Sequence, residues 1–203
     1  MTPISVLAIS GSLRKTSYNS GLIRAAMQVL PEGMTIETFD LAPIPLYDGD
    51  VESAGIPEGV KALKARIAAA DALLITTPEY NSSIPGVLKN ALDWASRPPK
   101  ESPFIGKPTA IMGAGGIMGT VRAQIALRQV AASLNLAILN KPEVMVARSW
   151  EKFDADGNLK DEPTFQQIAE LLKALQTWTG RLRGPELVYN SPAAETRQTA
   201  AFN

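Results

Sequence analysis

Ile4-Ser5-Val6-Leu7-Ala8-Ile9-Ser10-Gly11-Ser12-Leu13-Arg14-Lys15-Thr16-Ser17-Tyr18-Asn19 is the stretch that decides the fold. Residues 4–9 form a short apolar run rich in β-formers, and Ser10 and Gly11 end it at once, which reads as a buried strand. From residue 17 to 30, Leu22, Ile23, Ala26, Val29 and Leu30 recur at helical spacing, and Pro31 and Gly33 stop the pattern. A strand, a polar turn and a helix in that order open a βαβ unit.

The same alternation continues along the chain. Residues 34–39, 72–77 and 108–112 read as further strands, and 136–139 with 144–147 read as two pieces of a fifth. Residues 60–70 and 120–134 read as helices. Ser83 and Pro85 are expected to start another helix, running to Ser96, with a hydroxyl cap and proline in its first turn. The last helix, over 164–179, sets Phe165, Ile168, Leu172 and Leu175 on one face. Residues 40–59 are rich in Pro, Gly and Asp and read as a long connection. Five alternations predict right-handed units and a parallel sheet covered on both faces. One domain over 1–184 is expected, followed by a polar tail over 185–203 that reads as either a poorly ordered end or an arm onto a partner subunit.

Composition narrows the chemistry. Of 203 residues, 45% are hydrophobic and 20% charged, which suits a globular chain large enough to hold one core. Lysine plus arginine equals aspartate plus glutamate at 20 each, so no broad basic surface is available for nucleic acid. The chain has no cysteine and no histidine. Thiolate and Ser-His-Asp mechanisms are therefore excluded, as are sulfur-ligated clusters. Redox or transfer chemistry in such a chain falls to a bound cofactor. The N-terminus does not read as a signal peptide, and no apolar run approaches a membrane span, so a cytoplasmic location is expected.

In a parallel sheet, ligands gather beyond the C-terminal strand ends at the switch in strand order. Three loops fall there: residues 10–19, 78–83 and 113–119. The first feeds a helix N-terminus, whose unpaired N–H groups and dipole favour an anion. Ser12, Ser17 and Asn19 add donors, and Arg14 adds a forked cation suited to phosphate oxygens. The loop suits a phosphate monoester. It lacks both the Gly-x-Gly-x-x-Gly spacing of a dinucleotide loop and the Gly-Lys-Ser/Thr ending of an NTP loop. The plain alternative is that Ser17 and Asn19 only cap the helix and that Arg14 is solvated.

Ser12-Leu13-Arg14 with Ser17 and Asn19, then Pro78-Glu79-Tyr80-Asn81 and Pro85-Gly86-x-Leu88-Lys89-Asn90-Ala91-x-Asp93-Trp94, resemble the NAD(P)H-dependent FMN reductases. The likeness spans roughly residues 4–180 and is nearest to the bacterial quinone and chromate reductases and azoreductases. It implies a flavodoxin-like three-layer fold with five parallel strands in the order 2-1-3-4-5 and FMN at the switch point. It carries phosphate contacts to Ser12, Arg14, Ser17, Tyr18 and Asn19, and ring contacts to Pro78, Glu79, Tyr80 and Asn81. The glycine loop Gly113-Ala114-Gly115-Gly116 would lie at the pyrimidine edge, where relatives often carry serine and this chain offers only backbone N–H groups. It also implies NAD(P)H as co-substrate and a homodimer or homotetramer, with the Trp94 helix near the subunit contact. Lys89, Asn90 and Asp93 are given structural roles.

The expected activity is hydride transfer from NAD(P)H through FMN N5 to a small acceptor: a quinone, azo compound, chromate or free flavin, by a ping-pong scheme. No catalytic side chain and no metal is expected. A flavodoxin-type electron carrier and a non-catalytic flavin-binding module stay open beside it, although the neutral charge gives a carrier little steering.

Overall fold

The computed structural model describes residues 3–183, so the expected tail lies outside the described residues. The elements run β1 (Ile4–Ser10), α1 (Tyr18–Gln28), β2 (Met34–Phe39), α2 (Gly49–Ala54), α3 (Glu58–Ala69), β3 (Ala72–Thr76) and α4 (Gly86–Ala95). They continue with β4 (Pro108–Ala114), α5 (Val121–Ser133), β5 (Ala137–Ile138), β6 (Val144–Val146), α6 (Ser149–Lys152) and α7 (Glu162–Arg183). All pairings between these strands are parallel, in the order β2-β1-β3-β4-β5, the flavodoxin-like order expected. β6 also pairs with β4, beyond β5, so the two halves of the fifth strand line one edge in succession.

Alternation along each strand separates two cores. Leu7, Ile9, Leu73, Ile75 and Ile111 face α3, α4 and α5. Val6, Ala8, Leu74, Ala110 and Met112 face α1 and α7. β3 is buried along its whole length, as the central strand of a sheet covered on both faces must be. Each fully buried Leu or Ile contributes about 2 kcal/mol of transfer free energy.

Several expectations need correction. The 40–59 connection contains α2, capped by Asp48. Ser83 does not cap α4: the helix starts at Gly86, with Pro85 at its cap and no side-chain cap bond. Ser83 instead closes a tight turn, exchanging backbone bonds of 3.0 Å with Tyr80 in both directions. β4 extends through Gly113 and Ala114, because β6 offers them Met145 and Val146 as partners. α6, a single turn, has no periodic signal in the sequence, and α7 is longer at both ends than 164–179. Asp161 begins α7 by accepting the Thr164 N–H at 3.1 Å.

Trp94 is wholly buried within its own chain, a core packing residue of α4. The segment Pro45-Leu46-Tyr47 covers it: Trp94 Nε1 donates to Pro45 O at 2.9 Å, and the Tyr47 ring meets it edge-on at 4.9 Å. Asn90 holds the same strap, accepting from Tyr47 N at 2.8 Å and donating to Pro45 O at 2.7 Å. Lys89 pairs with Asp93 one helical turn along. These three polar residues are structural, as expected.

Candidate active site

At the C-terminal edge of the sheet, a cleft of about 270 Å³ is walled by all three expected loops. Ser12, Arg14, Ser17, Tyr18 and Asn19 form one side, Pro78, Glu79 and Tyr80 another, and Ala114, Gly115 and Gly116 a third. A neighbouring cleft of about 560 Å³ shares Glu79 and Gly116 with it and is lined by Asn81, Ser82, Ile117, Met118, Gly119 and Arg122.

The phosphate side is built on α1. Ser17 caps the helix: its Oγ accepts the N–H groups of Asn19 at 3.2 Å and Ser20 at 3.4 Å. That cap leaves the hydroxyl proton free to donate outward. The N–H of Tyr18, in the first turn, has no partner among the described residues, as the first amides of a helix lack one. The Arg14 guanidinium lies 5.9 Å over the Tyr18 ring, and its Nε donates to Thr16 Oγ1 at 3.2 Å. It enters no ion pair among the described residues, so its outer N–H groups are available to an anion.

Asn19, which lines the cleft, also has a task that the sequence does not suggest. It is buried, and its side chain meets Ala114 at both ends: Nδ2 donates to the carbonyl at 3.0 Å and Oδ1 accepts the N–H at 3.0 Å. The last ladder step between β3 and β4 is Thr77 N–H to Met112 O, after which the chain turns away at Pro78. Gly115 N–H bonds Val146 O on the β6 side, so the Ala114 groups point to the side β3 has left. Asn19 replaces the missing strand. It thereby fixes the phosphate loop against the glycine loop.

The ring side is equally constrained. Asn81 and Ser82 both have positive φ, at 48° and 65°, which makes Tyr80–Ser83 a two-residue turn of the I′ kind. Tyr80 stands at its base, 54% exposed, as a flat wall at the cleft mouth. Asn81 borders the neighbouring cleft only. Gly113 lines neither cleft: a Cβ there would meet Thr120 Oγ1 at 2.3 Å and Thr77 O at 2.4 Å, so close packing explains this glycine. A Cβ at Gly116 would meet nothing, which leaves its backbone open to a ligand. The Glu79 carboxylate is turned onto α5, where it accepts from Arg122 and Ala123.

Trp150 joins the cleft wall from α6 and was not singled out from the sequence. Ser149 sets it there: its N–H and Oγ both donate to Gly115 O, at 3.1 and 2.8 Å. The signal was its position directly after a strand, at the same sheet edge as the other loops. Tyr80 and Trp150 at the first cleft and Ile117 and Met118 at the second are large, exposed and apolar. No group of three or more metal-ligating side chains occurs among the described residues.

The family model described as NADPH-dependent FMN reductase matches residues 4–151. The chain belongs to this family. It is 54% identical over 182 residues to the NAD(P)H-dependent FMN reductase PA1204 of Pseudomonas aeruginosa, covering 89% of this chain and 98% of the relative. It is 46% identical to the NADPH:quinone oxidoreductase of Arabidopsis thaliana, across 89% of this chain and 94% of that protein. Among solved structures, FerB of Paracoccus denitrificans, described as a flavoenzyme NAD(P)H:(acceptor) oxidoreductase, superposes with a TM-score of 0.80 at 34% identity. That match covers 88% of this chain and 98% of FerB. Membership makes the protein an oxidoreductase, with FMN as cofactor and NAD(P)H as co-substrate. The cleft fits FMN: a cationic, N–H-rich end for a phosphate is joined to a walled slot with open backbone for a flat ring.

Proposed function

We propose that the protein is an NAD(P)H-dependent quinone reductase working through FMN. The observation that carries this reading is the junction, in one cleft, of Arg14, which has no ion pair among the described residues, and a capped helix N-terminus with the Tyr80 and Gly116 walls. FMN, when bound, would supply two-electron redox chemistry between NAD(P)H and the acceptor. Arg14, the Ser17 hydroxyl and the Tyr18 N–H would hold the phosphate, and Ser12 borders them. Pro78, Glu79 and Tyr80 bound the ring on one side, with Ala114, Gly115 and Gly116 opposite. Asn19 acts through Ala114, keeping these walls at a fixed separation. The exposed apolar side chains of Tyr80, Ile117, Met118 and Trp150 favour planar, uncharged acceptors.

A quinone is the favoured acceptor, in line with the relatives named as quinone oxidoreductases. Azo compounds, chromate and free flavin are further acceptors of the same ping-pong scheme, in which donor and acceptor use one place in turn. Assembly as a homodimer or homotetramer is part of the proposal, and the exposed Leu46, Tyr47 and Val51 are the apolar surface to inspect for it. Among the described residues, no helix is long and apolar enough to cross a membrane. The test is steady-state kinetics with NADPH and benzoquinone varied together. Parallel double-reciprocal lines are expected; converging lines refute a shared place for donor and acceptor.

A further inference from the structure

Thr120 stands at the N-cap of α5 yet makes no side-chain cap bond. Two first-turn amides of that helix are met from a different loop. Glu79 Oε2 accepts the N–H of Arg122 at 2.9 Å and of Ala123 at 3.2 Å. Glu79 Oε1 accepts from Arg122 Nε at 2.6 Å, and Arg122 Nη2 is also 2.6 Å away. The Glu79 side chain is only 8% exposed, while that of Arg122 is 56% exposed.

Each group answers a problem set by the other. A cation at the second position of a helix lies at the positive end of its dipole and is unfavourable there. A carboxylate this deeply covered needs both a countercharge and N–H donors. Together they make a closed arrangement, and its geometry has a consequence for the cleft. Glu79 lies between Pro78 and Tyr80, on one wall. α5 begins directly after the loop that forms the facing wall, Ala114 to Gly116. Glu79 also borders both clefts, so it stands in the partition between them.

We propose that Glu79 is a positioning residue for the flavin, capping α5 so that the Pro78–Tyr80 wall is held at a set distance from the Ala114–Gly116 wall. The proposal rests on the reading of this cleft as the FMN site. Its carboxylate is committed to α5, so it acts on the ring through the backbone it anchors. The backbone cap, rather than the ion pair, carries the effect, because the two amides belong to the helix that follows the facing wall. The exposed Arg122 adds a pairing that solvent screens.

The experiment titrates flavin-free protein with FMN, reading flavin fluorescence for affinity and visible circular dichroism for the ring's surroundings. Melting temperature is followed in parallel. Glu79→Ala should weaken FMN binding about tenfold, the scale of one lost helix cap, and change the dichroism of the bound ring. Glu79→Gln keeps an oxygen that accepts the backbone N–H groups and should restore binding to within about threefold of the wild type. Arg122→Ala leaves the cap intact and should also stay within about threefold. Should Glu79→Ala fail to fold, Glu79→Asp, one methylene short of the amides, takes its place and should bind several-fold more weakly. Wild-type affinity and dichroism in a Glu79→Ala protein that melts earlier would make the residue merely structural and overturn the proposal. Equal losses in Arg122→Ala and Glu79→Ala would overturn it too, by assigning the effect to the ion pair. A wild-type chain that binds no FMN brings down the functional reading itself.

Discussion

Asn19→Ala should lower folding stability and loosen the cleft in one step. The side chain it removes closes two hydrogen bonds of 3.0 Å to the backbone of Ala114, and both partners are buried. Deletion leaves an N–H and a C=O without partners at the end of β4. An unsatisfied buried polar group costs about 1–3 kcal/mol, and the small cavity adds to this, so the expected loss is about 3 kcal/mol. Asn19→Asp should do no better near neutral pH. It turns an amide donor into a carboxylate facing the Ala114 carbonyl, in a site with almost no solvent. Urea unfolding of the flavin-free proteins measures the loss, with the slope checked for two-state behaviour. FMN titration of the same samples should show weaker binding, because the phosphate loop and the glycine loop are no longer tied. A loss below about 1 kcal/mol for Asn19→Ala would mean that water or a shifted backbone satisfies Ala114 equally well. The claim that Asn19 stands in for a strand would then be wrong.

Two further predictions follow from single residues. Arg14→Ala should weaken FMN binding about tenfold or more while leaving riboflavin binding unchanged, because a charge-assisted bond to phosphate is lost and the ring side is untouched; equal losses for both flavins in parallel titrations would remove Arg14 from the phosphate site. Asp71 is pushed up by burial, but the Ser5 N–H and hydroxyl, each at 2.8 Å, and Arg183 outweigh this and hold its carboxyl below the usual range. Its folded value is thus depressed, so its stabilisation is complete above the unfolded value of about 4 and is lost as pH falls through the folded value. The stability gap between wild type and Asp71→Asn should therefore narrow in urea titrations taken below about pH 4, and a gap independent of pH would contradict this.

The strands were legible because they are apolar, short and punctuated by Ser, Gly and Pro. Even the interrupted fifth strand, β5 and β6, shows in the sequence as two separate apolar pieces. The Ser17 cap was legible for the same local reason: it adjoins the helix start whose amides it accepts. What stayed hidden depends on chain segments that meet only in the fold. Asn19 and Ala114 are 95 positions apart, and nothing local to either announces the pairing. Glu79 caps a helix 43 residues downstream, so its identity as a cap could not be read from the residues preceding that helix, where Thr120 holds the place. Gly113 and Gly116 look alike in a glycine-rich run, yet one is required by crowding and the other opens backbone to the cleft. Trp94 carries an ambiguous signal, since an apolar helix with tryptophan suits a core as well as a subunit contact. The strap from Pro45 to Tyr47, donated by a segment that reads as plain connection, is what buries this side chain.

Whether this cleft holds FMN and lets NAD(P)H reduce it for a quinone is read by anaerobic mixing of the FMN-loaded protein with one equivalent of NADPH, followed by one equivalent of benzoquinone, under a visible spectrometer. The bound flavin should bleach on the first addition and regain its yellow colour on the second, with Tyr80 and Arg14 in place and no metal added. A flavin that stays oxidised with NADPH and with NADH, in protein shown by titration to bind FMN, would contradict this reading.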